Sequence, residues 1–359
     1  MADVLKGFVS GNFAYVAAWF LPSFIAVGAV TIWIVPYNQT LAIYAWMYAL
    51  PTTTGAILVV AAGVVLGVVL STASTPLYRV LEGYVLTSLN NRLARSLKRT
   101  LTTRMRNKRK DLLGRFRDAD PYGYEVNLIL ESLQKYPSET EVLPTRLGNV
   151  MRAFEEYAYR QYGMDSQSLW EPLWAVTPQP LRDDHDHARA GTDFCVAMIA
   201  VACMFGALSL VSGAWLVASK HEWSLGLLVG GVLIPALVAR ALYELCVSSA
   251  FRWGLVVKGM VDIGRPTLAA ALGLQLPVTL SAERDMWRRV SRFVRESTSM
   301  TGSAAADFDI FRLGHAHDTA SAATIVPHPL EGVDDTGDHQ AAAADAPEPT
   351  DQTPNGHQD

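Results

Sequence analysis

The sequence is poor in charged residues, and the shortage is uneven along the chain. Charged residues make up only 18% of it and apolar residues 50%, whereas soluble domains carry about 25% charged residues. The connection over residues 36–51 has no lysine or arginine at all. This composition argues against an ordinary soluble protein and indicates that part of the chain is buried in lipid.

The sequence also lacks the short motifs that mark common enzymes. It has no P-loop, dinucleotide fingerprint, zincin histidine pair or nucleophile elbow. The three cysteines, Cys195, Cys203 and Cys246, have no metal-like spacing. We expect them to be small packing residues, and we predict neither catalytic residues nor a cofactor or metal site.

Four long apolar stretches are present, arranged as two pairs around a long polar segment. They cover residues 13–35, 54–73, 194–218 and 225–238. A transmembrane helix needs roughly 20 apolar residues. The fourth stretch is short before Arg240, but that side chain can snorkel and the apolar character resumes through Leu245. The pattern predicts an all-α polytopic membrane protein with four transmembrane helices.

The distribution of bases predicts the orientation of these helices. Lysine and arginine are dense over residues 79–117 and recur at Arg252 and Lys258, after the last stretch. The two short connections within the pairs hold only Lys220. The positive-inside rule therefore predicts a multi-pass protein of the plasma membrane, with both termini and the long middle segment in the cytoplasm.

These patterns divide the chain into five segments. We predict a first transmembrane helix pair in residues 1–78, a cytoplasmic helical segment with a basic stalk in 79–192, a second transmembrane pair in 193–242, cytoplasmic amphipathic helices in 243–298, and a disordered acidic tail in 299–359. The tail has too few large apolar residues to offset the entropy of ordering. Within the fourth segment, a helix break is expected at residues 264–266, Gly-Arg-Pro.

The basic stalk combines an apolar stripe with many cations. Apolar residues recur every fourth position from Leu81 to Met105, which predicts an amphipathic helix that continues from the second transmembrane helix. Its other faces carry Arg92, Arg95, Lys98, Arg99, Arg104, Arg106, Lys108, Arg109 and Lys110. These bases either determine topology and face solvent or contact anionic lipid headgroups. Nucleic-acid binding is not expected, because aromatic residues are not interleaved with the bases.

A motif in the middle segment resembles a known group of proteins. The run Pro144-Thr-Arg-Leu-Gly-Asn149, followed by Tyr162-Gly-Met-Asp165 and Leu169-Trp170, is similar to a cytoplasmic motif of bacterial, actinobacterial, four-span membrane proteins without an established activity. The stretch 271–277, Ala-Leu-Gly-Leu-Gln-Leu-Pro, resembles the segment after the last span in that group. The resemblance covers most of residues 13–298, and it implies a layout but no mechanism.

The motif residues could be catalytic or structural. The positions of unknown role are Arg146, Asn149, Glu155, Tyr162, Gly163, Asp165 and Trp170. An active site would use the carboxylates of Glu155, Glu156 or Asp165, but neighbouring acids on a helix point about 100° apart. We favour a structural helix that Thr145 caps and Gly163 ends.

The cluster Asp183-Asp-His-Asp-His187 resembles a metal site in composition only. His185 and His187 diverge on a helix, because ligands of one metal usually sit at i and i+4. We expect instead an acidic first turn at the start of the helix that becomes the third span.

The leading functional hypothesis is a membrane-anchored scaffold or regulatory protein that acts through its cytoplasmic helices. The apolar stretches lack a central ionisable residue of the kind that ion pathways display. The alternative is a small transporter or channel built as an oligomer. The pairs Gly63/Gly67 and Gly226/Gly230 have the spacing that lets helices approach closely, within one chain or between copies. A protein partner or self-association is therefore expected.

Overall fold

The structure, a computed structural model, describes residues 13–37, 42–85, 92–218, 224–295 and 311–312. Over these residues the chain forms α-helices and no strand. The helices are α1 (Phe13–Trp33), α2 (Ala42–Tyr48), α3 (Thr52–Thr72), α4 (Ser74–Glu82), α5 (Arg92–Asp118), α6 (Tyr124–Leu133), α7 (Arg146–Glu155), α8 (Tyr157–Tyr162), α9 (Trp170–Val176), α10 (Gln179–Ala218), α11 (Ser224–Ala271) and α12 (Leu280–Arg295). Short 3₁₀ turns lie at Val35–Tyr37 and Glu139–Glu141.

Four of these helices, α1, α3, α10 and α11, are long and apolar enough to cross a membrane. The predicted all-α polytopic fold is thereby confirmed. α10 and α11 have 40 and 48 residues, about twice the length that a bilayer requires. Each continues without interruption through a predicted segment boundary, at residue 193 in α10 and at residue 243 in α11.

Glycines set the contacts between the first two spans. A Cβ atom on Gly67 would lie 2.6 Å from the ring of Phe20, and one on Gly63 would collide with the ring of Phe24. This pair therefore lets α1 and α3 approach closely within one chain, as the spacing predicts. The pair in α11 does not act in this way, because Gly226 faces open space and Gly230 only touches Trp33.

The helix after the second span is shorter than the stripe of apolar residues predicts. α3 ends at Thr72, and α4 ends at Glu82 because Gly83 adopts a left-handed backbone with φ 89°. The continuous helix predicted from this span was therefore wrong, although α5 does form the basic stalk. Leu89 of the stripe and the predicted tail, residues 299–359 apart from Phe311 and Arg312, lie outside the described residues.

The break predicted at Pro266 was also wrong, because α11 continues to Ala271. Proline has no N–H group to donate to the carbonyl four residues earlier, which belongs to Asp262. The side chain of Arg265 supplies the missing bond, donating from Nη1 to that carbonyl over 2.8 Å. The helix ends at Ala271, two residues before Gly273, where φ is 72°.

Two buried apolar clusters hold the molecule together. The first joins α1, α7, α10 and α11 and includes Trp19, Phe154 and Val196. The second lies farther along α11 and includes Met164, from the loop after α8, and Trp287 of α12. We call α6 to α9, the first turns of α10, residues 246–271 of α11 and α12 together the extramembrane body. The predicted packing of the segment after the fourth span on the middle segment is confirmed, because α7, α8 and α9 contact α11.

Candidate functional site

The start of the sequence motif is a loop that one buried side chain ties together. Asn149 is only 1% exposed, and its amide group makes three hydrogen bonds. It accepts from the backbone N–H of Leu143 over 2.8 Å and donates to the carbonyls of Leu143 and Thr145 over 2.9 and 2.6 Å. The Thr145 hydroxyl accepts from Gly148 N–H over 3.0 Å, so the predicted cap of α7 is confirmed.

The same loop attaches the first span pair to the extramembrane body. A Cβ atom on Gly148 would lie 2.5 Å from the carbonyl oxygen of Glu82, and one on Gly83 would lie 2.6 Å from the ring of Pro144. Glycine is needed at both positions because the end of α4 packs directly on the start of α7. The motif therefore fixes the position of α4.

Arg146, the most polar motif residue, points away from this packing. Its guanidinium pairs with Glu244 of α11, which also pairs with Arg240, and the three side chains are between 38% and 66% exposed. An ion pair at such exposure stabilises a fold little.

These two motif residues should therefore behave differently when mutated. We expect Asn149→Ala to lower the free energy of unfolding by about 2 kcal/mol, because it leaves buried backbone groups unpaired. We expect Arg146→Ala to lower it by less than about 1 kcal/mol. Urea unfolding of the full chain in lipid nanodiscs measures both, and equal losses would contradict the structural role given to Asn149.

Glu155 and Glu156 face one partner, against the prediction from helix geometry. Glu156 lies between the end of α7 and the start of α8 but keeps a helical backbone, so the two acids follow Arg152 by three and four residues. Both carboxylates approach the guanidinium of Arg152, at 3.4 and 3.5 Å, and Glu141 contacts it at 2.8 Å. Burial raises the pKa of Glu155, although Arg152 opposes the shift. The arrangement is a partly exposed ion-pair cluster, with side chains 11% to 45% exposed.

The Tyr-Gly-Met-Asp part of the motif joins α8 to α11 and α12. The hydroxyls of Tyr157 and Tyr162 donate to the carboxylate of Asp262 over 2.8 and 2.7 Å. Gly163 ends α8 with φ 73°, which confirms the predicted stop. Asp165 accepts from Arg295 Nε over 2.7 Å.

The surroundings of Asp165 hold it in the charged form. Burial alone would raise its pKa, but hydrogen bonds from Ser168 and Arg295 outweigh burial and hold the pKa below its usual value. A low pKa and an occupied carboxylate are typical of a structural ion pair rather than of a general acid.

The last motif residue, Trp170, packs beside a buried histidine. The rings of Trp170, Trp174 and Trp253 lie 5.5, 5.0 and 5.8 Å from the ring of His185, centroid to centroid. His185 is 4% exposed, and its Nδ1 lies 3.2 Å from the carboxylate of Asp186. The cluster connects α9 with α10 and α11.

The acidic cluster around His185 is dispersed over different sides of α10. Asp183 accepts from Gln179, and His187 contacts the carbonyl of Asp183. α10 begins at Gln179, so these acids lie in its second turn and not in the predicted first turn. Within the described ranges, no three His, Cys, Asp or Glu side chains are grouped in a way that could hold a metal ion.

The nine bases of the stalk lie along α5, which packs on α6. Seven are exposed, and Lys98 and Arg109 are half-buried. Among the residues that the structure describes, Lys110 is the one of the nine that forms an ion pair, at 3.1 Å from Glu139. The remaining cations are available to an anionic ligand or surface.

A polar cavity that the sequence did not reveal lies where α4 meets the spans. It has a volume of about 390 Å³, and its walls include Asp193, Tyr78 and Glu82. Asp193 is 2% exposed and accepts from the Tyr78 hydroxyl over 2.7 Å, with Arg189 at 3.7 Å. Asp193 directly precedes an apolar run, so the sequence alone places it at the boundary of the third span. Its pairing with Tyr78, 115 residues away, leaves no pattern in the sequence.

Glu82 is the carboxylate of this cavity whose pKa lies near neutral pH. Burial and, less strongly, the negative charge of Glu155 raise its pKa from 4.5 to about 7, against the opposing effect of Arg79. Glu82 therefore changes charge near neutral pH, which makes the cavity the best candidate for a functional site. Neither Glu155, Glu156 nor Asp165 lines it.

The chain was compared with family models, curated proteins and solved structures. Nothing matched in any of the three. A function is therefore inferred from the geometry of the chain itself.

The raised pKa of Glu82 predicts a pH-dependent stability. The folded state binds a proton more tightly than the unfolded state, so the free energy of unfolding should fall as the pH rises from 4.5 to about 7. Above that pH the loss is complete. We expect Glu82→Gln to be more stable than the parent at about pH 8, by up to about 2 kcal/mol after solvent screening.

Urea unfolding in nanodiscs between about pH 4.5 and about pH 8 measures this effect. The exposed Glu171 offers a matched control, and Glu171→Gln should leave the pH profile unchanged. A Glu82→Gln profile parallel to that of the parent would refute the raised pKa.

Proposed function

We propose that this chain is a membrane-anchored scaffold or regulatory protein whose working part is the extramembrane body. The observation that carries the proposal is the connection between that body and the spans. α10 and α11 run unbroken from their apolar stretches into the body. A partner that binds the body therefore acts on a unit continuous with two membrane helices.

We further infer that the body and both termini lie in the cytoplasm, and that the membrane is the plasma membrane of a bacterium. The bases of α5 and the absence of lysine and arginine from residues 36–51 support this orientation. The motif supports membership in the actinobacterial four-span group that it resembles. Cysteine labelling of Ala42 from outside intact cells, with Asn107 as the protected control, tests the orientation.

An exposed apolar surface on α6 supports a protein partner. Tyr124 is 77% exposed and Leu128, one turn later, is 48% exposed on the same side of the helix. Aromatic and leucine side chains exposed together are typical of protein interaction surfaces.

In-cell photo-crosslinking tests the scaffold function. A crosslinking residue at Tyr124 or Leu128 should capture the same protein, and one at Tyr159, which is 60% exposed on α8, should not. Crosslinks that are absent, or equally frequent at all three positions, would argue against a specific partner.

The polar cavity favours a second candidate, transport by an oligomer. It lies at the ends of α1 and α3 and contains a carboxylate that titrates near neutral pH. Transport predicts pH-dependent solute flux in liposomes that Glu82→Gln abolishes, together with an oligomer in native mass spectrometry. A monomer without flux would exclude this candidate and leave the scaffold proposal intact.

We propose that the cations in the first turns of α5 contact anionic headgroups. Each base held near an anionic surface contributes about 1 kcal/mol. We therefore expect the double variant Arg92→Gln, Arg95→Gln, at two exposed positions, to weaken attachment of α5 to phosphatidylglycerol nanodiscs by about 2 kcal/mol. A spin label at Ser96 reports the attachment, and nanodiscs of phosphatidylcholine alone should show no difference between variant and parent.

A further inference from the structure

A second cavity, of about 680 Å³, opens on the extramembrane body among α5, α6, α8 and α11. Its volume lies within the range of small-molecule sites, about 300 to 1,000 Å³. The cavity does not share a lining residue with the one that contains Glu82. We call it the basic groove, for the side chains described next.

Three cations from three different helices line the basic groove. They are Arg109 of α5, Arg160 of α8 and Lys258 of α11. In the part of the chain that the structure describes, none of the three is in an ion pair. Lys258 is half-buried, and its ammonium group lies 5.5 Å from the ring of Tyr157. Separate elements thus bring unpaired positive charge to one place.

The single acid in the wall is already occupied. Asp262 accepts hydrogen bonds from the hydroxyls of Tyr157 and Tyr162, over 2.7 to 2.9 Å. Two phenol donors occupy the carboxylate, and Lys258 does not form an ion pair with it. Lysine and arginine side chains that converge on one place are the donors that bind phosphate groups in proteins.

The rest of the groove is apolar and open. Leu113, Leu130, Leu133 and Leu255 form its walls. A Cβ atom on Gly259 would meet no atom within 4 Å, so the floor beside Lys258 is empty space. A ligand that fills the groove therefore combines an anionic end with an apolar or ring-shaped body.

The position of the groove separates a soluble ligand from a lipid. Lys258 lies 13 residues beyond Leu245, the point to which the sequence predicts the fourth span. At 1.5 Å per residue this is about 20 Å along the helix. The headgroup layer on each side of the hydrocarbon core is only about 5 to 8 Å thick. The phosphate of a lipid in the bilayer therefore does not reach the groove.

We propose that the basic groove binds a soluble, phosphate-bearing small molecule with an apolar or ring-shaped body. The phosphate pairs with Lys258, Arg160 and Arg109, and the leucines cover the body of the ligand. Because α11 continues from the groove into the fourth span, the ligand acts on a helix that also crosses the membrane. This inference does not depend on the scaffold function, because a binding site of this kind serves equally in a transporter.

Calorimetry on the full chain in phosphatidylcholine nanodiscs tests the proposal, with AMP, inorganic phosphate and adenosine as probes. We expect AMP to bind at least about tenfold more tightly than adenosine, since adenosine lacks the charge that the cations recognise. Lys258→Gln should weaken AMP binding by about tenfold or more. Lys108→Gln removes the same charge from an exposed position outside the groove and should have no effect.

A second variant separates a lost site from a lost fold. Gly259→Leu fills the groove and leaves all three cations in place. Leucine also favours a helix more than glycine does, so the variant should fold. It should abolish AMP binding while the protein stays as stable as the parent. The proposal is overturned if AMP and phosphate do not bind at millimolar concentration, if both groove variants bind AMP normally, or if phosphatidylglycerol in the nanodisc displaces AMP.

Discussion

Replacing Trp287 by alanine should lower the free energy of unfolding of the extramembrane body by about 4 kcal/mol. Trp287 is fully buried at the centre of the second apolar cluster. Its indole N–H donates to Glu283 over 3.2 Å, and the same carboxylate accepts from Arg265 over 2.7 Å. The substitution therefore leaves a cavity and removes a donor from a buried charge.

The matched control is Val294→Ala, in the same helix. Val294 is 37% exposed, so its truncation should change the free energy of unfolding by less than about 0.5 kcal/mol. Hydrogen exchange of the α8 and α12 amides, measured on the full chain in nanodiscs, reports the local stability. Similar exchange rates for the two variants would show that α12 is not part of the core of the body.

The Trp287 variant also separates the two candidate functions. α12 packs on α8, away from the contact between α1 and α3. Loosening α12 should weaken capture of a partner by the body. If transport through the spans were the function, flux should be affected much less than by Glu82→Gln, because Glu82 lies in the cavity at the span ends.

Local rules explain the parts of the fold that the sequence predicted correctly. A run of about 20 apolar residues has one stable solution in a bilayer, a helix. Thr145 and Gly163 also follow neighbour rules, because a cap bonds within three residues and a left-handed stop needs glycine. These features can be predicted without knowing which distant residues contact each other in the folded chain.

Two of the failed predictions depend on side-chain contacts within one helical turn. Pro266 does not end α11, because the side chain of Arg265 replaces the missing hydrogen bond. Glu155 and Glu156 share Arg152, because they follow it by three and four residues and both reach its guanidinium. The sequence permits these contacts but does not show that they form.

The candidate sites, by contrast, depend on partners that are distant in the sequence. Asp193 meets Tyr78 across 115 residues, and Asp262 meets Tyr157 across 105. The sequence predicts the basic stalk as one amphipathic helix with bases on its polar faces. Its role in the groove becomes visible only when Arg160 and Lys258, from two other helices, lie beside Arg109. The sequence shows which chemical groups are present, but only the fold shows which of them share a site.

Gly163→Ala should destabilise the extramembrane body nearly as much as Trp287→Ala. The φ of Gly163, 73°, is strained for any residue with a side chain, at about 1 kcal/mol or more. A Cβ atom there would also lie 2.6 Å from the carbonyl oxygen of Arg284, which is backbone of α12 and cannot rotate away. We expect Gly163→Ala to lower the free energy of unfolding by about 3 kcal/mol, the sum of strain and overpacking.

Gly273 allows the two contributions to be separated. Its φ is 72°, nearly that of Gly163, but a Cβ atom at this position would meet nothing within 4 Å. Gly273→Ala therefore carries the backbone strain alone, and should lower the free energy of unfolding by about 1 kcal/mol. Urea unfolding of both variants in nanodiscs gives the difference, about 2 kcal/mol, as the energy of close packing between the end of α8 and α12. Equal losses would mean that α12 moves away freely from Gly163, and that the motif then serves only to end α8.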